Sequence, residues 1–224
     1  TGAAVINALK VAGKKIEDVK IVINGAGAAG ISIGKYLLDL GAKNVIWCDR
    51  KGVIVEGQEG INAAQAELPK ISNPNKVTGL LSDALVDADI FIGVSAPNIV
   101  SKDMIRSMAD KAIVFPLANP VPEISHDDAI EAGAYIVGTG SSKYPNQINN
   151  VLVFPGIFRG ALDAGAKDIN REMMIAASKA IAESIPEDKL SPENIIPLAF
   201  DESVHKKVAE KVAEAARASG VARK

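Results

Sequence analysis

Residues 25–30 read Gly25-Ala26-Gly27-Ala28-Ala29-Gly30, and only Asn24 separates them from the apolar run Ile21-Val22-Ile23. In a G-x-G-x-x-G between a strand and a helix, the first glycine permits a tight turn and the second lets the backbone approach a pyrophosphate. The third lets the helix pack closely on the strand, and the run from Ile31 to Leu40 supplies that helix. Its N-terminal N–H groups and dipole would face the pyrophosphate. The segment predicts a dinucleotide site rather than a turn that serves packing alone.

A second apolar run ends in an acidic residue at the distance that such a site requires. Asn44-Val45-Ile46-Trp47-Cys48 precedes Asp49, about 20 residues past the glycines, where a carboxylate binds the hydroxyls of the adenosine ribose. Asp49 would repel the 2′-phosphate of NADP, whereas Arg50 and Lys51 could attract it. The sequence therefore favours NAD as the cofactor and leaves NADP open.

Composition narrows the class of protein. The chain has 224 residues, 48% of them hydrophobic, and a formal net charge of −2, which suits a full hydrophobic core and argues against disorder. Charges of both signs are interspersed, so we expect neither a nucleic acid nor a membrane surface as partner. Cys48, the single cysteine, excludes an intrachain disulfide and favours the cytoplasm; in a buried strand it is expected to be a core residue. No apolar stretch reaches the ~18–20 residues of a membrane span, so we expect a soluble protein.

Apolar runs alternate with segments of helical periodicity along the chain. Strands are predicted at residues 20–23, 45–48, 90–94, 112–115 and 135–137. Helices are predicted at residues 2–12, 28–40, 62–68, 82–86, 102–109, 126–132, 156–163, 170–184 and 203–219. Buried strands that helices separate form a mainly parallel sheet with helices on both faces. We predict an α/β, doubly wound, Rossmann-like fold, with a dinucleotide-binding core over residues 20–137 and a mostly helical part over residues 156–224 that packs on it.

Three polar loops follow predicted strands, at residues 93–98, 117–123 and 145–150. Two of them are rich in asparagine, whose amide donates and accepts hydrogen bonds without carrying charge. Such groups can orient a small carboxylate, a hydroxyl or a nicotinamide carboxamide. Because ligands of open parallel sheets collect outside the carboxyl ends of the strands, we expect the loops to converge on the dinucleotide site.

Four runs together resemble the C-terminal NAD(P)-binding half of bacterial malic enzymes, in order and over essentially the whole chain. They are Val22-Ile23-Asn24-Gly25-Ala26-Gly27-Ala28-Ala29-Gly30, Cys48-Asp49-Arg50-Lys51-Gly52, Leu117-Ala118-Asn119-Pro120-Val121-Pro122-Glu123 and Asn146-Gln147-Ile148-Asn149-Asn150-Val151-Leu152-Val153-Phe154-Pro155-Gly156. The resemblance implies an oxidoreductase of malate metabolism that converts L-malate to pyruvate and carbon dioxide. It implies reduction of NAD or NADP, a requirement for Mg²⁺ or Mn²⁺, and a homodimer or larger assembly.

The resemblance also implies a role for individual residues. The pyrophosphate would be held by Gly25, Gly27, Ala28, Ala29 and Gly30. The adenosine ribose would be held by Asp49, with Arg50 beside it, and the cofactor groove would be lined by Val94 and Ser95. Malate and the nicotinamide ribose would be faced by Asn119, Asn149 and Asn150.

The catalytic and metal residues of the family have no matching position here. In malic enzymes a tyrosine acid, a lysine base and the metal-binding carboxylates lie upstream of the segment that this chain resembles. We therefore expect no catalytic residue and no metal ligand in this chain, and no activity from it alone. Residues 1–224 would form a single NAD(P)-binding domain of a larger two-domain enzyme, since the chain starts at Thr1 with helical spacing.

The remaining titratable candidates have ordinary interpretations. Asp127 and Asp128 fall in the first turn of a predicted helix, where acidic residues complement the dipole, so we do not assign them to a metal. His126 and His205 are expected to be solvated.

Two alternative functions stay open at this point. The chain could be the cofactor domain of another two-domain dehydrogenase, such as one that acts on amino acids. It could also be a non-catalytic NAD(P)-binding regulatory module, which the lack of an acid or base would fit.

Overall fold

The structure, a computed structural model, describes residues 1–223. These residues form two compact units. One unit is Ala8–Pro145, and the other joins Thr1–Asn7 to the residues from Asn146 onward. Within the described residues, no helix has both the length and the apolar character needed to cross a bilayer.

The unit Ala8–Pro145 is built on a six-stranded sheet. Its strands are β1 (Lys20–Asn24), β2 (Asn44–Asp49), β3 (Gly52–Val53), β4 (Ile90–Gly93), β5 (Ile113–Pro116) and β6 (Ile136–Val137). The spatial order is β3-β2-β1-β4-β5-β6, and neighbouring strands are parallel except for the antiparallel pair of β2 and β3. This is the strand order of doubly wound dinucleotide-binding sheets, so the predicted α/β, Rossmann-like fold is confirmed.

Helices connect the strands and dominate the second unit. They are α1 (Gly2–Ala12), α2 (Ala28–Asp39), α3 (Ala63–Ala66), α4 (Leu68–Ile71), α5 (Leu81–Leu85), α6 (Lys102–Arg106), α7 (His126–Glu131), α8 (Gly156–Asp163), α9 (Arg171–Ala182) and α10 (Glu202–Ala218). The element types agree with the sequence-based prediction, and most bounds differ from it by one or two residues, which is the usual uncertainty of helix ends.

A row of apolar side chains crosses the sheet in register. Val22 lies beside Ile46 on one side and Phe91 on the other, and Val114 lies between Phe91 and Val137. All five are buried. Burial on both faces of the sheet fixes the register of the parallel strands. As a result, β1, β2, β4 and β5 end at one common edge.

Two short elements were not predicted. The predicted helix at residues 62–68 corresponds to α3, which ends at Ala66, before Pro69, but a separate helix, α4, follows it with Pro69 in its first turn. Proline is tolerated there because the N–H group that it lacks has no partner within a helix anyway. No strand is predicted between residues 48 and 90, but the chain returns after Asp49 as β3, which pairs Gly52 with Asp49.

In the second unit, α10 packs closely on α8. Val208 and Val212 of α10 are fully buried. A Cβ atom added at Gly156 would lie 2.9 Å from the Val208 side chain, and one added at Gly160 would lie 2.8 Å from the Val212 side chain. The two glycines of α8 therefore allow the close approach of the two helices.

Candidate functional site

The predicted cofactor residues of the unit Ala8–Pro145 lie at the common edge where its parallel strands end. In the register of the sheet, Asn24 at the end of β1 is opposite Cys48 of β2 and Gly93 of β4, and Gly93 is opposite Pro116 of β5. Asp49 ends β2, and the loops that follow β1, β4 and β5 carry the glycine motif, Val94 with Ser95, and Asn119. The edge between β1 and β4 is the topological switch point, where ligands of this sheet type bind.

Two of the three motif glycines are required by the fold itself. Gly25 has a φ of +113°, and a Cβ atom added to it would lie 2.5 Å from the backbone oxygen of Val94. A Cβ atom added to Gly30 would overlap the backbone oxygen of Gly25 and lie 3.2 Å from the Val94 side chain. The turn and the close approach of α2 to the strand ends therefore exclude larger residues at both positions.

Gly27 differs from the other two glycines. Its φ of −85° and ψ of −169° are open to any residue, and an added Cβ atom would have no heavy atom within 4 Å. The residue is exposed, as are Ala28 and Ala29 in the first turn of α2. Within residues 1–223, no side chain caps this helix. The fold therefore leaves uncapped N–H groups beside an open space that a side chain at position 27 would fill, which is the arrangement that binds a pyrophosphate.

Asp49 lies at the end of β2 and is half-buried. Its Oδ1 atom accepts a hydrogen bond of 2.7 Å from the backbone N–H of Lys51, and its Oδ2 atom accepts a longer one of 3.4 Å from the Gln58 side chain. Arg50 is exposed next to it. The carboxylate is thus oriented at the strand end with acceptor capacity left for a ribose hydroxyl. Gln58 was not predicted to have a role and lies in the loop after β3. It is a neighbour of Asp49 because the chain turns back after β2 to form β3.

Cys48, the residue before Asp49, is a buried core residue as expected. Burial, with a smaller contribution from the negative charge of Asp49, raises the pKa of its thiol to about 12. The thiol is therefore protonated and unreactive at neutral pH.

A buried carboxylate joins the loops after β4 and β5. Glu123 is fully buried and accepts hydrogen bonds from the backbone N–H of Ser95 (2.8 Å), the Ser95 hydroxyl (3.3 Å) and the backbone N–H of Ala118 (3.1 Å). The buried Asn24 side chain donates to the Ser95 hydroxyl at 2.7 Å. Ser95 was predicted to line the groove, whereas Glu123 was not predicted to have a role. Its one signal in the sequence is an acidic residue at the end of a proline-rich loop.

The asparagines that were predicted to face the substrate have different environments. Asn119 is exposed, in the loop after β5. Asn149 is half-buried, and its Oδ1 atom accepts from the N–H of Val151 at 3.0 Å, which caps the turn Asn150–Leu152. Asn150 is exposed. Asn119 belongs to the unit Ala8–Pro145, whereas Asn149 and Asn150 belong to the other, so their convergence stays a prediction.

Both histidines were expected to be solvated, and this was wrong. The His126 side chain is 16% exposed, because its ring stacks on Tyr144 with 4.3 Å between the ring centroids. His205 is half-buried, and its Nε2 atom is buried without a hydrogen-bond partner among residues 1–223. The helical pattern identifies the side of a helix but not the ring or loop that covers it.

Asp127 and Asp128 occupy the first turn of α7, as predicted. Hydrogen bonds from Lys102 and Ser125 lower the pKa of Asp128. In the part of the chain that the structure describes, no three residues of the types His, Cys, Asp and Glu are grouped as a metal site requires. The described residues therefore offer no complete set of metal ligands of their own.

Comparison with known proteins identifies relatives over the full length of the chain. A family model described as "Malic enzyme, NAD binding domain" matches residues 1–217. The bifunctional malic/malolactic enzyme of Bacillus subtilis (strain 168) is 52% identical over 224 residues, which are 100% of this chain and 55% of that protein. The NAD-dependent malic enzyme of Geobacillus stearothermophilus is 49% identical over 222 residues, which are 99% of this chain and 46% of that protein. NADP-dependent malic enzymes are also among the relatives.

A solved structure agrees with these matches. The malic enzyme of Pyrococcus horikoshii Ot3 has a TM-score of 0.94 and 42% sequence identity, and the alignment covers 100% of this chain and 53% of that chain. The resemblance inferred from the sequence motifs is confirmed. The chain spans about half the length of the curated relatives described above.

Proposed function

Because this chain belongs to the malic enzyme family as its NAD-binding domain, we propose that it is the cofactor-binding half of an enzyme that oxidatively decarboxylates L-malate. The products are pyruvate and carbon dioxide. The observation that carries this proposal is the open space at Gly27 beside the uncapped start of α2. The fold does not require a glycine at position 27. We therefore assign the lack of a side chain there to ligand binding.

The roles of the cofactor residues follow from their positions. The N–H groups at the start of α2 donate to the pyrophosphate, and Asp49 accepts from the hydroxyls of the adenosine ribose. Val94 and Ser95 line the groove after β4. When bound, the oxidised nicotinamide supplies the acceptor for the hydride that leaves C2 of malate. The chain itself supplies binding and orientation, since hydride transfer depends on the close and aligned placement of the two reactants.

We assign Asn119, Asn149 and Asn150 to malate and the nicotinamide ribose, because neutral amides can hold both a carboxylate and a hydroxyl. The tyrosine acid, the lysine base and the carboxylates for Mg²⁺ or Mn²⁺ are assigned to the part of the enzyme outside this chain. We expect the chain alone to give no turnover. As the resemblance to malic enzymes implies, the complete enzyme would be a cytoplasmic homodimer or larger assembly.

The experiment that tests the cofactor site is a fluorescence titration with NADH and, separately, NADPH. The Gly27→Val variant is expected to lose at least roughly a hundredfold in affinity for the preferred cofactor, because the side chain occupies the path of the pyrophosphate. Its thermal unfolding midpoint is expected to stay within a few degrees of the parent. Ala218→Val, on the exposed end of α10, is the matched control and should change neither quantity. Full affinity in a folded Gly27→Val variant would remove the pyrophosphate from this position.

A further inference from the structure

Glu123 is a charged side chain for which the proposed function gives no role. It is 0% exposed, yet its two oxygens accept hydrogen bonds only from neutral groups of Ser95 and Ala118 among residues 1–223. A buried carboxylate without a cation is costly to keep and is retained where hydrogen bonds hold it in one position. The carboxylate of Glu123 is therefore held in one position inside the molecule rather than solvated at the surface.

The carboxylate of Glu123 connects the loops that follow β4 and β5 through hydrogen bonds. Its Oε1 atom holds the backbone and hydroxyl of Ser95, after β4, and its Oε2 atom holds the backbone of Ala118, after β5. Gly93 makes room for it, because an added Cβ atom would lie 2.6 Å from Oε2 and 2.7 Å from Oε1. Asn24, at the end of β1, extends the network by donating to the Ser95 hydroxyl. One side chain thus sets the relative position of the loops on this side of the switch point.

These loops belong to the nicotinamide side of the proposed site. In a doubly wound sheet, the two halves of a dinucleotide lie on opposite sides of the switch point between β1 and β4. Asp49 of β2 takes the adenosine half, so the loops after β4 and β5 face the nicotinamide half. Asn119, which is proposed to face substrate, directly follows Ala118 in the loop that Glu123 holds.

We propose that Glu123 is a positioning residue of the nicotinamide side, and that its buried charge favours the oxidised cofactor over the reduced one. This inference rests on the proposed cofactor site. The hydrogen bonds of Glu123 fix Ser95 and the start of the Asn119 loop. Its charge discriminates because the oxidised nicotinamide ring carries a positive charge that the reduced ring lacks, and low-dielectric surroundings strengthen the attraction.

The test compares three ligands by isothermal titration calorimetry: NAD⁺, NADH and ADP-ribose, which lacks the nicotinamide. Glu123→Gln keeps the shape of the side chain but removes its charge and turns one acceptor into a donor that faces an N–H group. We expect the dissociation constant to rise roughly tenfold for NAD⁺ and roughly threefold for NADH, with no change for ADP-ribose. Glu131→Gln, the same substitution on an exposed residue of α7, is the control and should change none of the three.

A second variant reaches the same network but keeps the charge. Gly93→Ala is expected to displace the carboxylate, so that the binding of both NAD⁺ and NADH is weakened while that of ADP-ribose is unaffected. It tests the positioning role even if Glu123→Gln does not fold. If either variant weakened the binding of ADP-ribose by the same factor as the binding of NAD⁺, the positioning role would be overturned. A parent protein that binds none of the three ligands would instead overturn the proposed function.

Discussion

The two sides of the proposed cofactor crevice are built in different ways. On the β2 side, the ligand-facing groups are exposed backbone N–H groups at the start of α2 and the carboxylate of Asp49, which is oriented by an N–H two residues away. On the β4–β5 side, Ser95 is held by Glu123, 28 residues further along the chain. The first side is a local motif, whereas the second is a buried network of distant residues. Changes to the ligand-facing groups of the first side should therefore affect binding alone, and changes on the second should affect binding and stability together.

Gly30 lies between Gly25 of the glycine motif and Val94, which follows β4. Its substitution has the largest expected effect on stability. An alanine there would push a Cβ atom into the backbone oxygen of Gly25 and against Val94. We expect Gly30→Ala to lower the free energy of unfolding by about 3 kcal/mol, as overpacking against fixed backbone does. Urea denaturation measures this value. Gly27→Ala is the matched control, three residues away in the same glycine motif, and should lose about 1 kcal/mol or less. If both variants lost the same free energy of unfolding, Gly30 would be no more important to the fold than Gly27.

Asp49 tests the claim that the first side carries binding without stability. Asp49→Ala should raise the dissociation constant of NADH roughly tenfold, about 1.4 kcal/mol, because the hydrogen bonds to the ribose are lost. The same variant should bind NADPH more tightly than the parent does, because the repulsion of the 2′-phosphate is removed while Arg50 remains. Parallel fluorescence titrations give both constants, and the urea midpoint should stay unchanged.

The exposed Asp18→Ala variant controls for the loss of one negative charge from the same unit. Equal losses for NADH and NADPH in Asp49→Ala would argue against the ribose assignment. A lowered urea midpoint would show that the β2 side is not independent of the fold.

The contrast between the two sides also explains what the sequence could predict. The glycine motif and Asp49 could be predicted because the residues that define each role are close together along the chain. The strands of the parallel sheet could be predicted for the same reason, since each is a continuous apolar run. Glu123 was missed because its partners lie in another loop, and nothing local distinguishes a buried glutamate from an exposed one. The stack of His126 on Tyr144 and the return of the chain as β3 were missed for the same cause. Pairings between distant segments depend on the assembled sheet.

Asn24 gives the smallest expected effect and the finest test of the comparison. Its side chain is buried and donates a hydrogen bond of 2.7 Å to the Ser95 hydroxyl, at the far end of the Glu123 network. Asn24→Ala should lower the free energy of unfolding by about 1 kcal/mol and weaken NADH about twofold, with ADP-ribose unchanged. Ser101→Ala, which removes the N-cap of α6, should cost about the same stability and leave both affinities alone. If Ser101→Ala weakened NADH as much as Asn24→Ala does, general destabilisation would account for the effect. A loss confined to Asn24→Ala and to NADH means that the buried network itself holds the nicotinamide side in its binding geometry.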